Sequence, residues 1–138
     1  MNLFFDTSAF VMRYIDETGS GEIEQLCAGA DSAGISILLP VEAISVFSRL
    51  KREKHITAKQ YAVLKGELFS DIRDMTVITL APATVQAAID VMERVPLKTL
   101  DAIHLACAIE YRPDYFVSGD AQQLFAAEKM GLKVKRVP

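Results

Sequence analysis

The chain has 138 residues, of which 51% are hydrophobic and 24% charged, with a net charge of -3. This length fits one domain spanning residues 1–138 and is too short for two of ordinary size. The acidic balance excludes a protein that holds nucleic acid through overall positive charge, and no apolar stretch reaches the roughly 20 residues of a membrane helix.

Short apolar runs alternate with longer segments of helical periodicity. In chain order, the pattern predicts strand 3–5, helices 8–16 and 21–30, strand 34–38, helices 41–54 and 58–73, strand 75–80, helices 83–94 and 100–111, strand 115–118, helix 121–130 and strand 133–137. This alternation predicts an α/β fold with a mostly parallel sheet of four to five strands, flanked on both faces by about seven helices.

Residues at the predicted helix ends support these boundaries. Thr57 and Asp120 are suited to N-caps, Pro40 and Pro82 to first turns, and Gly131 to a C-terminal cap. The segment between the second and third strands contains two helices, although a crossover needs only one. We expect this pair to project as a helical hairpin.

Four acidic residues, Asp6, Glu42, Asp101 and Asp120, lie where one predicted element gives way to the next. Asp6 and Asp120 follow strands, at the carboxyl end where open α/β sheets bind ligands. Each is also a good N-cap, and a solvated first-turn charge is the commonest explanation of a residue such as Glu42. Considered one at a time, these acids leave function and capping both open.

Asp101 begins a segment, 100–109, that is apolar on almost every face and therefore predicts a buried helix. A carboxylate there needs a cap, an ion pair or a metal, because burying an unpaired charge is costly. His104 lies one turn later and reaches the same region. We predict that it is a buried histidine bonded to backbone or to a carboxylate, and assign it no catalytic role.

Other catalytic arrangements are not indicated. The two histidines and the serines form no nucleophilic triad pattern, and no glycine-rich phosphate loop is present. Ser118 is placed to direct its hydroxyl at the pocket or to make a local turn bond. The acids are therefore the main chemical candidates, and their mutual repulsion predicts raised pKa values without metal.

The order and spacing of these fragments resemble the PIN domain, and most closely the VapC-type toxins of type II toxin-antitoxin pairs. The resemblance covers nearly the whole chain and rests on four motifs: Phe5-Asp6-Thr7-Ser8-Ala9, Glu42, Leu100-Asp101-Ala102-Ile103-His104-Leu105-Ala106 and Val117-Ser118-Gly119-Asp120. Ser118 stands where many relatives have Thr, and Gly119 where a polar residue is common. These departures affect fine positioning more than activity.

The resemblance implies one pocket holding one or two Mg²⁺ or Mn²⁺ ions for the hydrolysis of RNA phosphodiester bonds. Asp6 and Asp101 would be the main metal ligands, with Glu42 and Asp120 completing the ring. It also implies a homodimer and a cognate antitoxin chain. Apolar residues that such partners would contact, unless they serve the core, are Phe10, Val11, Tyr14, Ile15, Val46, Phe47 and Leu50.

Two further expectations concern the surface and the compartment. Basic residues cluster between the two hairpin helices and are suited to RNA phosphates, although a solvated helix end explains them as well: Arg49, Lys51, Arg52, Lys54, His55 and Lys59. Lys98 and Arg112 are further candidates. Cys27 and Cys107 form neither a disulfide framework nor a zinc set, and no export signal is visible, so we expect a cytoplasmic protein.

Three other functions remain possible from the sequence. A PIN nuclease of RNA processing would share the same chemistry without a toxin role. A phosphoryl-accepting receiver domain also has an acidic Mg²⁺ pocket, but Thr7 follows a single acid where the receiver has a pair. A non-catalytic PIN fold would act only by binding, which the presence of all four acids disfavours.

Overall fold

The computed structural model describes residues 1–15 and 19–138. Five strands form one parallel sheet: β1 (Asn2–Phe5), β2 (Ser32–Ser36), β3 (Thr76–Ile78), β4 (Tyr115–Ser118) and β5 (Val134–Arg136). Seven α-helices occur in the described residues: α1 (Thr7–Phe10), α2 (Ser20–Gly29), α3 (Leu38–Arg52), α4 (Ala58–Ile72), α5 (Pro82–Arg94), α6 (Thr99–Tyr111) and α7 (Ala121–Lys129). A short 3-10 helix, Val11–Arg13, continues α1.

The strands lie in the order β3-β2-β1-β4-β5, so that β1 is central. In register, Phe4 of β1 pairs with Gly34 of β2 on one side and with Phe116 of β4 on the other. The chain leaves β1 toward β2 and later returns to β1's other side as β4. The carboxyl ends of β1 and β4 therefore border the crevice where the strand order reverses, the usual ligand site of such sheets.

Side chains of β1 alternate between two hydrophobic cores. Leu3 and Phe5 are fully buried in one core, which includes residues of helices α1 to α4. Phe4 is fully buried in the other core, built with α5, α6 and α7. The predicted α/β/α sandwich is thus confirmed, with one apolar cluster on each face of the sheet.

The hairpin and most predicted caps are confirmed. Helices α3 and α4 follow one another between β2 and β3, and Thr57 caps α4 through a capping box with Gln60. Asp120 caps α7, and Pro82 is the first residue of α5. Gly131 follows α7 with a φ of 89°, the left-handed conformation that glycine adopts without strain.

The boundary between the second strand and the third helix was predicted too late in the chain. Strand β2 ends at Ser36, not at residue 38, and α3 begins at Leu38, not at residue 41. The Ser36 hydroxyl accepts a hydrogen bond from the Leu38 amide at 3.1 Å, which starts the helix early. Pro40 remains in the first turn, but Glu42 moves into the second, so the first-turn explanation of Glu42 no longer applies.

The first predicted helix, 8–16, is shorter than expected, because α1 ends at Phe10 and passes into the 3-10 helix. Its predicted end at residue 16 lies outside the described residues. None of the described helices is long and apolar enough to cross a membrane.

Candidate active site

A cavity of about 170 Å³ opens at the carboxyl edge of the sheet, beside the crevice between β1 and β4. All four predicted acids line it, together with two hydroxyls and one imidazole: Asp6, Thr7, Ser8, Glu42, Asp101, His104 and Asp120. They come from four separate places in the chain. The predicted convergence of the acids is what the structure shows.

Asp6 is the most buried of the acids, with 5% of its surface exposed. Its Oδ1 accepts hydrogen bonds from the Ala9 amide at 2.9 Å and the Ser8 hydroxyl at 2.8 Å. Its Oδ2 accepts from the Ser118 hydroxyl at 2.5 Å. Burial raises the pKa of Asp6 above its ordinary value, and these hydrogen bonds, with the nearby His104, only partly oppose that effect. Asp6 is therefore an N-cap and a pocket carboxylate at once.

Glu42 is held by His104 and Thr7. Its Oε1 shares a short hydrogen bond with His104 Nε2 and accepts the Thr7 hydroxyl at 2.7 Å. Burial disfavours the ionised form, but the hydrogen bond and charge of His104, with the Thr7 bond, leave the pKa of Glu42 below its ordinary value. The expectation of raised pKa values was thus wrong for Glu42, because its bonds to His104 and Thr7 and the charge of His104 outweigh the effect of burial.

His104 is 2% exposed and bonds to a carboxylate, as predicted. Its Nε2 also lies 3.3 Å from Thr7 Oγ1. The other ring nitrogen, Nδ1, is buried and has no partner within the described part of the chain. The imidazole therefore connects α6 to α3 and fixes the direction of Glu42.

Asp101 differs from Asp6, Glu42 and Asp120 because its carboxylate accepts no hydrogen bond from another residue in the described part of the chain. It lies at the third position of α6, whose N-cap position is Lys98, so it is not the cap. Burial, followed by repulsion from Asp120, raises the pKa of Asp101, whereas His104 and Lys98 lower it. Among the described residues no side-chain donor bonds to this half-buried carboxylate, which leaves it available to a ligand.

Asp120 completes the cavity and caps α7 through its Oδ1, which accepts from Gln122 N at 2.8 Å and Gln123 N at 3.3 Å. The Asp120 amide in turn donates to the Ser118 hydroxyl at 3.0 Å. Ser118 thus makes both bonds foreseen for it, a local turn bond and a bond into the pocket.

The oxygen atoms of the cavity lining are possible ligands of a divalent cation. Within residues 1–15 and 19–138, no three acidic, histidine or cysteine side chains are arranged to hold a metal together. Mg²⁺, however, takes only one or two carboxylates and retains several waters. The unsatisfied carboxylate of Asp101 and the oxygen-rich lining fit such an ion.

The comparison of the sequence with protein-family models gives one decisive match. The model of the PIN domain matches residues 3–129. The chain belongs to the PIN domain family. No curated protein matches the chain.

Solved structures share this PIN fold across nearly the whole chain. VapC20 of Mycobacterium tuberculosis, described as a sarcin-ricin loop cleaving toxin, has a TM-score of 0.71 and 16% identity over 99% of both chains. VapBC2 of Rickettsia felis, solved with a promoter DNA fragment, gives 0.70 and 13% over 100% of both chains. A toxin-antitoxin complex of Klebsiella pneumoniae gives 0.66 and 17%, covering 88% of this chain and 89% of that one.

Sequence reasoning missed two hydroxyl residues in the PIN domain's pocket. Thr7 bonds to Glu42, and Ser8 bonds to Asp6 while accepting the Gly119 amide at 3.1 Å. Their position directly after Asp6 was a usable signal, because the first residues of a helix that starts at a sheet edge face the same crevice. Of the basic residues predicted to contact RNA, none lines the cavity.

Proposed function

We propose that this PIN domain is a divalent-metal-dependent endoribonuclease that hydrolyses RNA phosphodiester bonds. The observation that carries this proposal is the unsatisfied carboxylate of Asp101, which faces a cavity lined by Asp6, Glu42 and Asp120. Four acids within one small cavity disfavour an anion unless a cation is bound with it. A phosphodiester together with Mg²⁺ or Mn²⁺ meets this condition.

The roles of the residues follow from their contacts. Asp101 and Asp6 would hold one or two Mg²⁺ or Mn²⁺ ions, with Glu42 and Asp120 as further oxygen donors. A bound ion of this kind lowers the pKa of an attacking water and neutralises charge that develops on the phosphate. The protein itself would hold its carboxylates in place before the metal and the RNA bind.

Two sets of hydrogen bonds provide that fixation. Ser8, Ser118 and the Ala9 amide occupy three of the roughly four acceptor sites of the Asp6 carboxylate, so one remains for a ligand. His104 and Thr7 set the direction of Glu42. Such outer partners orient the ligands of metal sites and tune their affinity.

The decisive experiment is RNA cleavage by purified protein with Mg²⁺ or Mn²⁺, and with chelator. We expect cleavage only with metal, and its loss in Asp6→Asn and Asp101→Asn. Cleavage that persists with chelator, or full activity in both variants, contradicts the proposed mechanism. A protein that binds RNA without cleaving it under any metal condition would instead be a non-catalytic PIN domain.

We further propose that the protein is the toxin of a type II toxin-antitoxin pair. The support is the likeness to a solved toxin-antitoxin complex and to a toxin described as cleaving the sarcin-ricin loop. A short reading frame directly upstream that encodes a small DNA-binding chain would agree with this role. Growth arrest on expression should disappear in Asp101→Asn. A PIN nuclease of RNA processing has neither property, and the family assignment gives no support to a receiver domain.

A homodimer and a cytoplasmic location complete the proposal. An apolar groove beside the edge strand β3 is lined by exposed residues of α3 and α4, among them Val41 and Phe69. Such a patch is typical of a protein-protein interface. The two cysteines, Cys27 and Cys107, are both unbridged, as in a reducing compartment.

A further inference from the structure

The tip of the α3-α4 hairpin carries a cluster of positive charge. Five cations and one carboxylate, Glu53, occur in residues 49–59, although the net charge of the whole chain is -3. The cations are Arg49, Lys51, Arg52, Lys54 and Lys59, and all five are exposed. None of them forms a salt bridge within the described part of the chain. Lys51 lies over the ring of Tyr61 at 4.9 Å.

Lys54 has a backbone conformation that does not suit a lysine. Its φ is 62°, in the left-handed region, directly after the C-cap residue Glu53 of α3. Glycine is preferred at this position, and any residue with a Cβ is strained there. The turn is closed by backbone bonds alone, from the Lys54 amide to the Lys51 carbonyl at 3.1 Å and from the His55 amide to the Leu50 carbonyl at 2.9 Å. Glycine would make the same bonds without strain, so the lysine side chain is not needed for the turn.

The helix dipole does not account for Lys54. Cations in the last turn of a helix interact favourably with its C-terminal end. Arg49, Lys51 and Arg52 already supply that charge from unstrained helical positions. A further cation at a strained position adds little to the helix, so its charge serves another purpose.

One cation of the tip, Arg49, lies on the face of α3 that reaches the acidic cavity. Arg49 follows Glu42 by seven residues, or two turns, and so lies on the same face about 10 Å along the helix. Arg52, the last residue of α3, lies about 15 Å from Glu42 by the same rise, and Lys54 follows two residues later. The distances from Glu42 to these cations correspond to roughly three to five nucleotides, at about 3.4 Å per nucleotide of a stacked strand.

We propose that the tip of the α3-α4 hairpin binds the backbone phosphates of a single-stranded RNA segment a few nucleotides from the bond in the acidic cavity. This inference rests on the proposed function, because the cavity defines where the strand is cut. The contact is to phosphates and not to bases, so it adds affinity without sequence preference.

Lys54→Gly separates this role from a structural one, because its two effects have opposite signs. Relief of backbone strain should raise the melting temperature by about 2–5 °C. Loss of one phosphate contact should weaken RNA binding roughly fourfold near 0.15 M salt and reduce the salt slope of log Kd by about 0.7. Lys54→Gln should weaken RNA binding equally without the rise in melting temperature.

Arg112→Gly is the matched control. Arg112 is also an exposed cation with a left-handed φ, 57°, but it ends α6, whose first turn holds Asp101. It lies about 16 Å along that helix from Asp101, at the opposite edge of the sheet. This variant should gain stability in the same way and leave the RNA salt slope unchanged.

The probe is a fluorescent 20-nucleotide single-stranded RNA of mixed sequence, titrated by anisotropy in chelator. All variants carry Asp101→Asn, so that binding is measured without cleavage and independently of the nuclease activity. An unchanged salt slope in Lys54→Gly, or an equal loss in Arg112→Gly, overturns the inference. Loss of binding to polyglutamate with unchanged RNA binding also overturns it, and assigns the tip to an acidic polypeptide.

The nuclease proposal can fail separately. If wild-type protein cleaves no RNA, but Lys54→Gly reduces the salt slope as described, the RNA surface stands and the catalytic role falls. If wild-type protein cleaves RNA but Lys54→Gly leaves the salt slope unchanged, the catalytic role stands and the RNA surface is excluded.

Discussion

Burial is the largest cause of the raised pKa values of both Asp6 and Asp101, but the two carboxylates differ in their hydrogen bonds, and that difference has measurable consequences. Asp6 accepts three hydrogen bonds, whereas no donor among the described residues bonds to the Asp101 carboxylate. Removing the charge of Asp101 therefore eliminates repulsion without breaking a bond. Removing the charge of Asp6 weakens bonds that connect β1, α1 and β4.

We predict that Asp101→Asn raises the melting temperature of the metal-free protein by about 1–2 °C, since solvent partly screens this half-buried group. Asp6→Asn should lower it. RNA cleavage should fall at least about 100-fold in Asp101→Asn, as when a charge-stabilising group is lost. Differential scanning calorimetry with chelator measures the melting temperatures of the metal-free proteins. Repeating it with Mn²⁺ measures the stabilisation by metal, which should be larger for wild type than for Asp101→Asn.

The pH dependence of stability tests whether the charge of Asp101 destabilises the folded protein. The folded pKa of Asp101 is raised, so its folded state binds more protons and loses stability as pH rises through the unfolded value, near 3.8, toward the folded one. The gain from Asp101→Asn should therefore grow with pH across that window and then level off. A gain that shrinks as pH rises would contradict this explanation.

His104 is a positioning residue for Glu42, and we predict that His104→Ala lowers cleavage by about 10–100-fold. Because the imidazole orients a proposed metal ligand, the half-saturating Mn²⁺ concentration should rise as well. His104→Gln retains a donor that can reach Glu42 and should recover part of the activity. A loss of folding without a change in metal dependence would show that His104 only fills the core.

At the scale of elements, the packing of α6 on β2 depends on the absence of a side chain at Gly34. A Cβ built there would lie 2.9 Å from Cδ1 and Cε1 of the Tyr111 ring, whose hydroxyl is 2.6 Å from Ser32 Oγ. Glycine is therefore required for close approach, not for an unusual backbone angle.

We predict that Gly34→Ala destabilises the protein by about 1–3 kcal/mol, the usual range for overpacking. Adding Tyr111→Leu should recover part of this loss, so that a double-mutant cycle gives a coupling above about 0.5 kcal/mol. The control is Gly66→Ala in α4, because a Cβ at this position meets nothing within 4 Å. This substitution should stabilise the protein by about 0.5–1 kcal/mol. Urea unfolding measures all four variants, and additive effects would show that Tyr111 is not the obstacle.

The sequence predicted elements well where one residue type determines the structure. The apolar segment around Asp101 gave a buried helix, and Thr57 and Asp120 marked helix starts correctly. The boundary between β2 and α3 was misplaced because the residues on both sides of it are apolar, so the pattern does not show where strand gives way to helix. Pro40 does not locate it either, because proline suits several positions in the first turn. Only the bond from Leu38 to Ser36 determines it.

Positions of the site residues were predictable, but the state of each carboxylate was not. The acids follow strands or begin helices, which places them at one sheet edge. Whether a carboxylate is bonded depends on elements far apart in sequence: Ser118 reaches Asp6 across 112 residues, and His104 reaches Glu42 across 62. No local pattern encodes such contacts.

For the whole molecule, much of the apolar surface predicted for partners serves the core instead. Phe10, Val11 and Phe47 are buried, and Tyr14 and Val46 pack against the same cluster. The patch that is left over lies elsewhere, in a groove of about 620 Å³ beside β3. There Val41 is 70% exposed and Phe69 43% exposed.

We predict that this groove is the interface between two copies of the chain and that Val41→Lys weakens the dimer at least about 100-fold. Burying a lysine without a partner is costly in an interface, but at an exposed position of the monomer it costs little. Phe125→Lys is the control, since Phe125 is 55% exposed on α7, beside β5 at the other end of the sheet. Sedimentation equilibrium over a wide concentration range should give a dimer for wild type and Phe125→Lys, and a monomer with unchanged melting behaviour for Val41→Lys. A monomeric wild type, or equal disruption by both substitutions, would show that the groove does not pair with a second copy.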